Sequence, residues 1–307
     1  MDLELPLLET DQSHRKRRLP PWLKRPLPTA GMAATSRIVA ESGVATVCEE
    51  ARCPNLTECW SRKTATFMIM GDKCTRRCHY CAVETAKPDP LSETEPMRMG
   101  KAAAALGLRH VVITAVARDD LADEGAGHYA SCVRAVHEAV PGCTVEVLPA
   151  DFHARPECIA TLCEAEPEIY NHNLETVARL HPPIRPLGDY HRSLRVLRRV
   201  KETDPQIVTK SGLMAGLGET REELLTAIRN LRSAGCDVLT LGQYLQPSPK
   251  HAPVARYYPP KEFDELACEA EAMGFLAVAA GPFVRSSYNA DLVFERVEKA
   301  RRQGGDG

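Results

Sequence analysis

No apolar run in the 307 residues reaches the 18 needed for a membrane-spanning helix. The first residues, MDLELPLLETDQ, are acidic. They have neither the apolar core of a secretory signal nor the Arg- and Ser-rich character of a transit peptide. A cytoplasmic protein without a membrane partner is therefore expected. An excess of one charge is missing too. Lys and Arg number 39 against 41 Asp and Glu, a formal net charge of −2, which argues against a chain-wide nucleic-acid surface. Internal repeats are absent, and low complexity is confined to the closing GGDG. What the chain does have is 44% hydrophobic residues, enough to bury a sizeable core, and a length ordinary for one α/β barrel.

It also has twelve cysteines. In a reducing compartment, clustered thiols bind metal or do redox chemistry rather than form structural disulfides. Six are scattered, at Cys132, Cys143, Cys158, Cys163, Cys236 and Cys268, and read as small buried hydrophobes. The other six form two trios, and each trio lacks a fourth cysteine. CEEARCPNLTEC carries Cys48, Cys53 and Cys59, and CTRRCHYC carries Cys74, Cys78 and Cys81.

Residues 1–35 read as an irregular arm, because LPPWLKRPLP has too many prolines for a helix. The basic run His14-Arg15-Lys16-Arg17-Arg18 within it reads as a solvated surface. From about residue 65 strands and helices alternate. Apolar runs at 65–70, 109–116, 144–149, 168–173, 206–216 and 237–245 are expected strands, and a seventh lies at 275–282. Helical patterns end near Leu106 and cover 189–203, 219–234 and 260–273. In the second of these, Leu194, Leu197 and Val200 recur at a spacing of three. This order predicts an α/β fold with a parallel sheet and right-handed crossovers, an incomplete (β/α)6 TIM-like barrel. Chemistry in such a fold sits at the C-terminal ends of the strands.

CTRRCHYC follows the first expected strand directly, so its thiols lie at that end. Soft thiolates suit iron–sulfur clusters, zinc or copper(I). A four-iron cluster needs four ligands, so three leave one iron open. That iron can take the amino and carboxylate groups of S-adenosylmethionine, and an electron from the cluster can then release a 5′-deoxyadenosyl radical. Structural zinc normally shows a second Cys or His pair downstream, and none follows here. His79, wedged between the loop's own thiols, is badly placed to close a tetrahedron and reads as an exposed loop residue. The C-x4-C-x5-C trio is also short of a fourth ligand. By spacing alone it is a second cluster or a zinc site.

Both trios in this order, together with RSSY at Arg285-Ser286-Ser287-Tyr288, resemble the lipoyl synthase family of radical S-adenosylmethionine enzymes. The resemblance runs on through YNHNLETV (170–177), TKSGLMAGLGET (209–220) and LTLGQYLQPS (239–248). It implies a sulfurtransferase that inserts two sulfurs, at C6 and C8, into an octanoyl chain carried on a lysine. It implies two [4Fe–4S] clusters and S-adenosylmethionine as cofactors. Cys74, Cys78 and Cys81 match the cluster that binds S-adenosylmethionine. Cys48, Cys53 and Cys59 match an auxiliary cluster that gives up its sulfur, with Ser287 rather than Ser286 as its fourth ligand. The implied catalytic set is thus Cys74, Cys78, Cys81 and Ser287. Asn171, Asn173 and Glu175 are candidates for holding S-adenosylmethionine, with helix capping as the competing role of Asn173. Gln243, Tyr244 and Gln246 are expected to line the same pocket, and Lys250 and His251 to lie at the surface.

The implied partners are octanoylated carrier domains, namely 2-oxoacid dehydrogenase E2 subunits and the glycine cleavage H protein, and a reductant such as ferredoxin or flavodoxin. No nucleic acid and no membrane are implied. The implied division is an arm with the auxiliary-cluster extension over 1–62, a radical S-adenosylmethionine partial barrel over 63–280, and a C-terminal extension over 281–307. Two stretches depart from the family pattern. Glu124 stands in DDLADEGA where relatives carry glycine, and LPADF (148–152) stands where they read LIPDF.

Overall fold

The computed structural model describes residues 19–24, 32–50, 53–61 and 66–304. The basic run at 14–18 lies outside them. Helix α1 (Met32–Ser42) begins inside the stretch expected to be irregular, just past the last proline. There follow β1 (Ala45–Thr46), α2 (Val47–Glu50), α3 (Leu56–Ser61), β2 (Thr66–Ile69), β3 (Lys73–Cys74), β4 (Glu84–Thr85) and α4 (Glu95–Leu106). Then come β5 (His110–Ala115), α5 (Ala126–Ala139), β6 (Thr144–Leu148), α6 (Pro156–Cys163), β7 (Ile169–Asn171), α7 (His181–Ile184), α8 (Tyr190–Thr203) and β8 (Val208–Ala215). The chain closes with α9 (Arg221–Ser233), β9 (Val238–Gln243), α10 (Pro260–Ala272), β10 (Ala277–Gly281) and α11 (Ala290–Gly304).

All seven expected strands form, each inside its predicted run. Every residue of β2 and of β9 is buried, which is why these strands read as continuous apolar runs without alternation. They assemble into one sheet in the order β1-β2-β5-β6-β7-β8-β9-β10. All neighbours from β2 onward are parallel, and only β1 pairs antiparallel with β2. Sequential order in a parallel sheet, with a helix between neighbours, is the barrel winding. The sheet stays open, because β1 and β10 are its two edges. The seventh run thus extends the six-unit barrel by one more parallel strand.

The helices shield the outer face. Helix α8 buries Leu194, Leu197 and Val200 along with Tyr190 and Val196. Helix α9 starts on a capping box, Thr220 with Glu223, and buries Leu224, Ala227, Ile228 and Leu231. The barrel interior is layered. At its base, Val293 and Val297 of α11 pack with Ile169, Val208, Val238 and Ala277, the first residues of four strands. Above them lies a polar layer in which Lys210 Nζ donates to both Glu146 oxygens, at 2.9 and 2.8 Å, and Asn171 Nδ2 donates to Glu146 Oε1 at 2.8 Å. This layer lies beneath the cavity, two residues short of Leu148, Asn173 and Gly212, which line it at the C-terminal ends of the strands.

Five of the six scattered cysteines are buried, as expected. The exception is Cys268, which faces solvent from α10. Its place near the middle of an amphipathic helix made it look like core, and it falls on the polar face.

Candidate active site

The loop that carries Cys74, Cys78 and Cys81 leaves β2 and is framed by the short parallel pair β3–β4. Met70 and Gly71, both at positive φ, turn the chain there. Backbone N–H groups of Arg76 and Ala117 both point at Cys74 Sγ, at 3.4 Å. Arg76, between the first two cysteines, is buried and anchors the loop to two strand ends. Its Nε and Nη2 grip Asp119 beyond β5, and Nη2 reaches Asp151 Oδ1 beyond β6 at 2.8 Å. Burial alone would lower the guanidinium's pKa, but its hydrogen bonds to Asp119 and Asp151 raise it above the ordinary range. Sequence reasoning passed over Arg76. The signal was there: a charged residue in a loop otherwise devoted to thiols.

His79 is half-buried, not exposed. Its Nδ1 contacts Pro183 O at 2.7 Å, and its backbone N–H donates to Ile184 O. His251 is not a surface residue either. It lies half-buried against the loop, with Nε2 on Cys81 O at 2.9 Å and Nδ1 on Ser248 Oγ. Lys250 is exposed, as expected.

The second trio sits in the extension before the barrel. Cys48 lies on α2 and Cys59 on α3. Between them a turn holds Cys53, whose N–H donates to Cys48 O at 3.0 Å. Cys48 is buried, and Cys53 and Cys59 are half-buried. Burial pushes the Cys48 thiol up to about 11 and the Cys81 thiol up to about 12, and it raises Cys78 as well. Thiols in such surroundings lose their protons only when a metal takes their place.

Neither trio is gathered into the shell of a single ion. Four thiolates on one zinc lie roughly 3.8 Å apart. Among the described residues, the groups with donor atoms all within 4.8 Å of one another are Glu95/His128/Cys132 and Asp119/Glu124/His153. Neither cysteine trio is gathered that tightly. All-sulfur donors spread more widely than one ion's shell suit a polynuclear iron–sulfur cluster. The Asp119/Glu124/His153 group is already charge-balanced by Arg76 and Arg155.

One cavity of about 510 Å³ opens at this end of the barrel. Cys74, Cys78 and Cys81 line it together with Ser286, Ser287 and, of the first trio, Cys53, so the loop trio, one member of the other and the C-terminal motif share one space. Its wall is otherwise largely apolar, with Met68, Val116, Leu148 and Met214 among the residues present. Asn173 and Glu175 face it, and Asn173 Nδ2 donates to Ser286 Oγ at 3.3 Å. Asn171 does not line it. Its side chain holds Glu146 below the cavity, because Asn171 is the last residue of β7 while Asn173 lies beyond the strand, nearer the mouth. Gln243, Tyr244 and Gln246 line the cavity as expected. The amide of Gln243 is spent on Arg256 O and Tyr258 N–H.

Sequence reasoning missed Arg185. It lies buried beside the cavity, donates through Nη1 to Asn173 O, and leaves Nε without a hydrogen-bond partner. It is close enough to Tyr80, Glu175 and Cys78 for its charge to act on all three. Burial raises the Glu175 carboxyl, and Arg185 partly offsets this. An arginine alone in the proline-rich run HPPIRP carried no motif that would have flagged it.

The first departure, Glu124, packs against the residue that follows the second. Glu124 adopts φ 52°, a left-handed conformation that glycine takes freely, and its Oε1 lies 2.8 Å from His153 Nδ1. His153 follows LPADF, in a turn where Phe152, His153 and Ala154 all have positive φ. Glu124 and His153 do not line the cavity, but Leu148, Pro149 and Ala150 of the second departure do.

The sequence profile of the radical SAM superfamily matches residues 68–242. A lipoyl synthase from Rhodopirellula baltica is 54% identical over 276 residues, 89% of this chain and 87% of the relative. Another, from Caldanaerobacter subterraneus, is 50% identical over 275 residues, 90% of this chain and 96% of the relative. Among solved structures, a methylornithine synthase superposes with a TM-score of 0.55 at 15% identity, over 77% of this chain and 81% of its own. The hydrogenase maturase HydG from Carboxydothermus hydrogenoformans gives 0.53 at 13% identity, over 76% and 65%. At such identities the structural likeness speaks for the fold alone.

Proposed function

The chain belongs to the lipoyl synthase family of the radical SAM superfamily, and on that premise we propose that both cysteine trios serve one cavity, where sulfur enters a protein-bound octanoyl chain. The enzyme is an S-adenosylmethionine-dependent sulfurtransferase with a [4Fe–4S] cluster, and it acts on lipoyl-carrier proteins. Cys74, Cys78 and Cys81 hold that cluster in our reading. Cys48, Cys53 and Cys59 hold a second, auxiliary one. The observation that carries this reading is the single cavity lined by Cys53, by all three loop cysteines and by Ser286 and Ser287.

When bound, the first cluster with S-adenosylmethionine supplies a hydrogen-abstracting radical, and the auxiliary cluster supplies sulfur. The chain's own residues bind and orient. Asn173 and Glu175 offer polar contacts to the cofactor, and Arg185 offers a buried positive charge for its carboxylate. Asn171 acts on the floor rather than on the cofactor. The apolar wall suits an alkyl chain and keeps water away from a radical. Ser286 Oγ already accepts from Asn173 Nδ2 at 3.3 Å, and this leaves Ser287, the other serine of the 286–289 turn, as the auxiliary ligand in our reading. A serine oxygen is a harder match to cluster iron than thiolate is, and so releases it more readily.

The division into 1–62, 63–280 and 281–307 belongs to this reading. So do E2 subunits and the H protein as carriers, and ferredoxin or flavodoxin as reductant. No helix among the described residues is long and apolar enough to cross a membrane.

The test is a pair of variants of the anaerobically reconstituted enzyme. Cys78→Ala should abolish 5′-deoxyadenosine release. Cys53→Ala should keep that release and lose lipoyl product on an octanoylated carrier. Iron and sulfide analysis with Mössbauer spectra should find two [4Fe–4S] clusters in the parent. Lipoyl formation by Cys53→Ala would refute the division of labour.

A further inference from the structure

Residues 282–289 form a strap that leaves the edge strand β10 and runs over the cavity to the N-terminal extension. It is seated on bare backbone at β9. A Cβ on Gly242 would come within 2.0 Å of Val284 O, so only glycine lets the strap lie this close. At the far side Asn55 Nδ2 donates to Phe283 O at 2.8 Å, and Tyr288 Oη donates to Glu58 Oε1 at 2.7 Å. Asn55 and Glu58 both lie in the stretch between Cys53 and Cys59. Glu58 directly precedes Cys59, and Tyr288 directly follows Ser287. The bond therefore ties together the immediate neighbours of two proposed auxiliary ligands.

We propose that Tyr288 and Glu58 are positioning residues: their hydrogen bond latches the strap to α3 and so sets Ser287 toward the auxiliary trio. The inference rests on the reading of Ser287 as a ligand. Neither residue touches the reacting atoms in this role. A tyrosine hydroxyl on a carboxylate is a charge-assisted contact, stronger and more directional than a neutral one. The latch also joins the two edges of the open sheet through the chain at the mouth, which no strand pairing does.

The test uses the reconstituted holoenzyme and the variants Tyr288→Phe, Glu58→Ala and Glu58→Gln, read by amide hydrogen exchange over 282–289. Tyr288→Phe and Glu58→Ala should each speed exchange there by about tenfold, and the double variant should go no further than either alone. Glu58→Gln keeps an acceptor and should stay within about twofold of the parent. The Mössbauer signature of the auxiliary cluster should change in the first two variants, and lipoyl product per 5′-deoxyadenosine should fall. Unchanged exchange in Tyr288→Phe, or independent effects that add in the double variant, would overturn the latch. Faster exchange with the auxiliary signature and the product ratio unaltered would leave the latch standing and overturn Ser287 as the ligand.

Discussion

Arg76→Met tests whether the cluster loop is held from outside by charge. Methionine keeps most of the volume and removes the guanidinium. The loss falls unequally on the two partners. Asp119 is a quarter exposed and can turn to water. Asp151 is fully buried, and it keeps only Arg192 Nε at 2.8 Å on Oδ2 and the His153 N–H at 3.2 Å on Oδ1. Breaking a buried pair outright costs about 3–5 kcal/mol, and the surviving partners of Asp151 place the expected cost near 3 kcal/mol. Across a chain this long, that lowers the midpoint of thermal unfolding by about 5–8 °C. Asp151→Asn in the same chain removes the stranded charge and should recover part of the loss. Arg76→Lys cannot grip Asp119 with two nitrogens while reaching Asp151, so it should fall between parent and Met. The assay is anaerobic calorimetry of the reconstituted enzyme, with iron content and 5′-deoxyadenosine release measured on the same samples. Release should drop at least tenfold in Arg76→Met, because the loop that carries Cys74 and Cys78 loses its outer anchor. A variant with unchanged midpoint, iron and release would refute the anchoring role.

Lys210→Met should cost about 3–5 kcal/mol, because it strands Glu146 at the centre of the barrel, and adding Glu146→Gln should restore most of it; thermal midpoints check both. His172 lies fully buried beside the cavity, and burial, aided by the charge of Arg185, lowers it from 6.5 to about 4. Its folded value is below its unfolded one, so between them the unfolded chain holds the extra proton. Stability should therefore fall as pH drops from about 6.5 toward 4, by up to about 3 kcal/mol from this residue, and His172→Gln should flatten that limb of a stability–pH curve. Arg185→Met should raise KM for S-adenosylmethionine by tenfold or more while leaving iron content at the parent level, and an unchanged KM would remove Arg185 from the cofactor site.

The fold was largely legible because parallel strands buried on both faces are continuous apolar runs, and all seven stood out between helical patterns. Strand β1 was not legible. Two residues carry no period, and β1 exists only by pairing with Met68 and Phe67. The thiols of the site were legible because soft ligands at short spacing have few other uses. The charged residues around them were not. Arg76, Arg185 and His251 act through partners 43, 12 and 170 positions away in sequence, and no local spacing encodes such contacts. Asn171 and Asn173 look alike in YNHN, yet one supports the floor and the other faces the cavity. Only the turn of the chain at the end of β7 separates them. Glu124 and LPADF stood out as unrelated departures; the structure brings Glu124 against His153, just past that motif.

The strap cannot stray far even without its latch. At one end it continues β10, which pairs with β9 along its whole length, and at the other it enters α11, whose Val293 and Val297 are buried in the barrel base. Position along the chain is thus fixed by packing at both ends. Within the strap, the direction of each serine is set by the turn over 286–289 and by the bonds on its two flanks. Asn173 takes Ser286 from the barrel side, and Glu58 takes Tyr288 from the extension side. Two bonds on opposite flanks resist a twist better than either does alone. Between them stands Ser287, which the family resemblance favours over Ser286 as the auxiliary ligand.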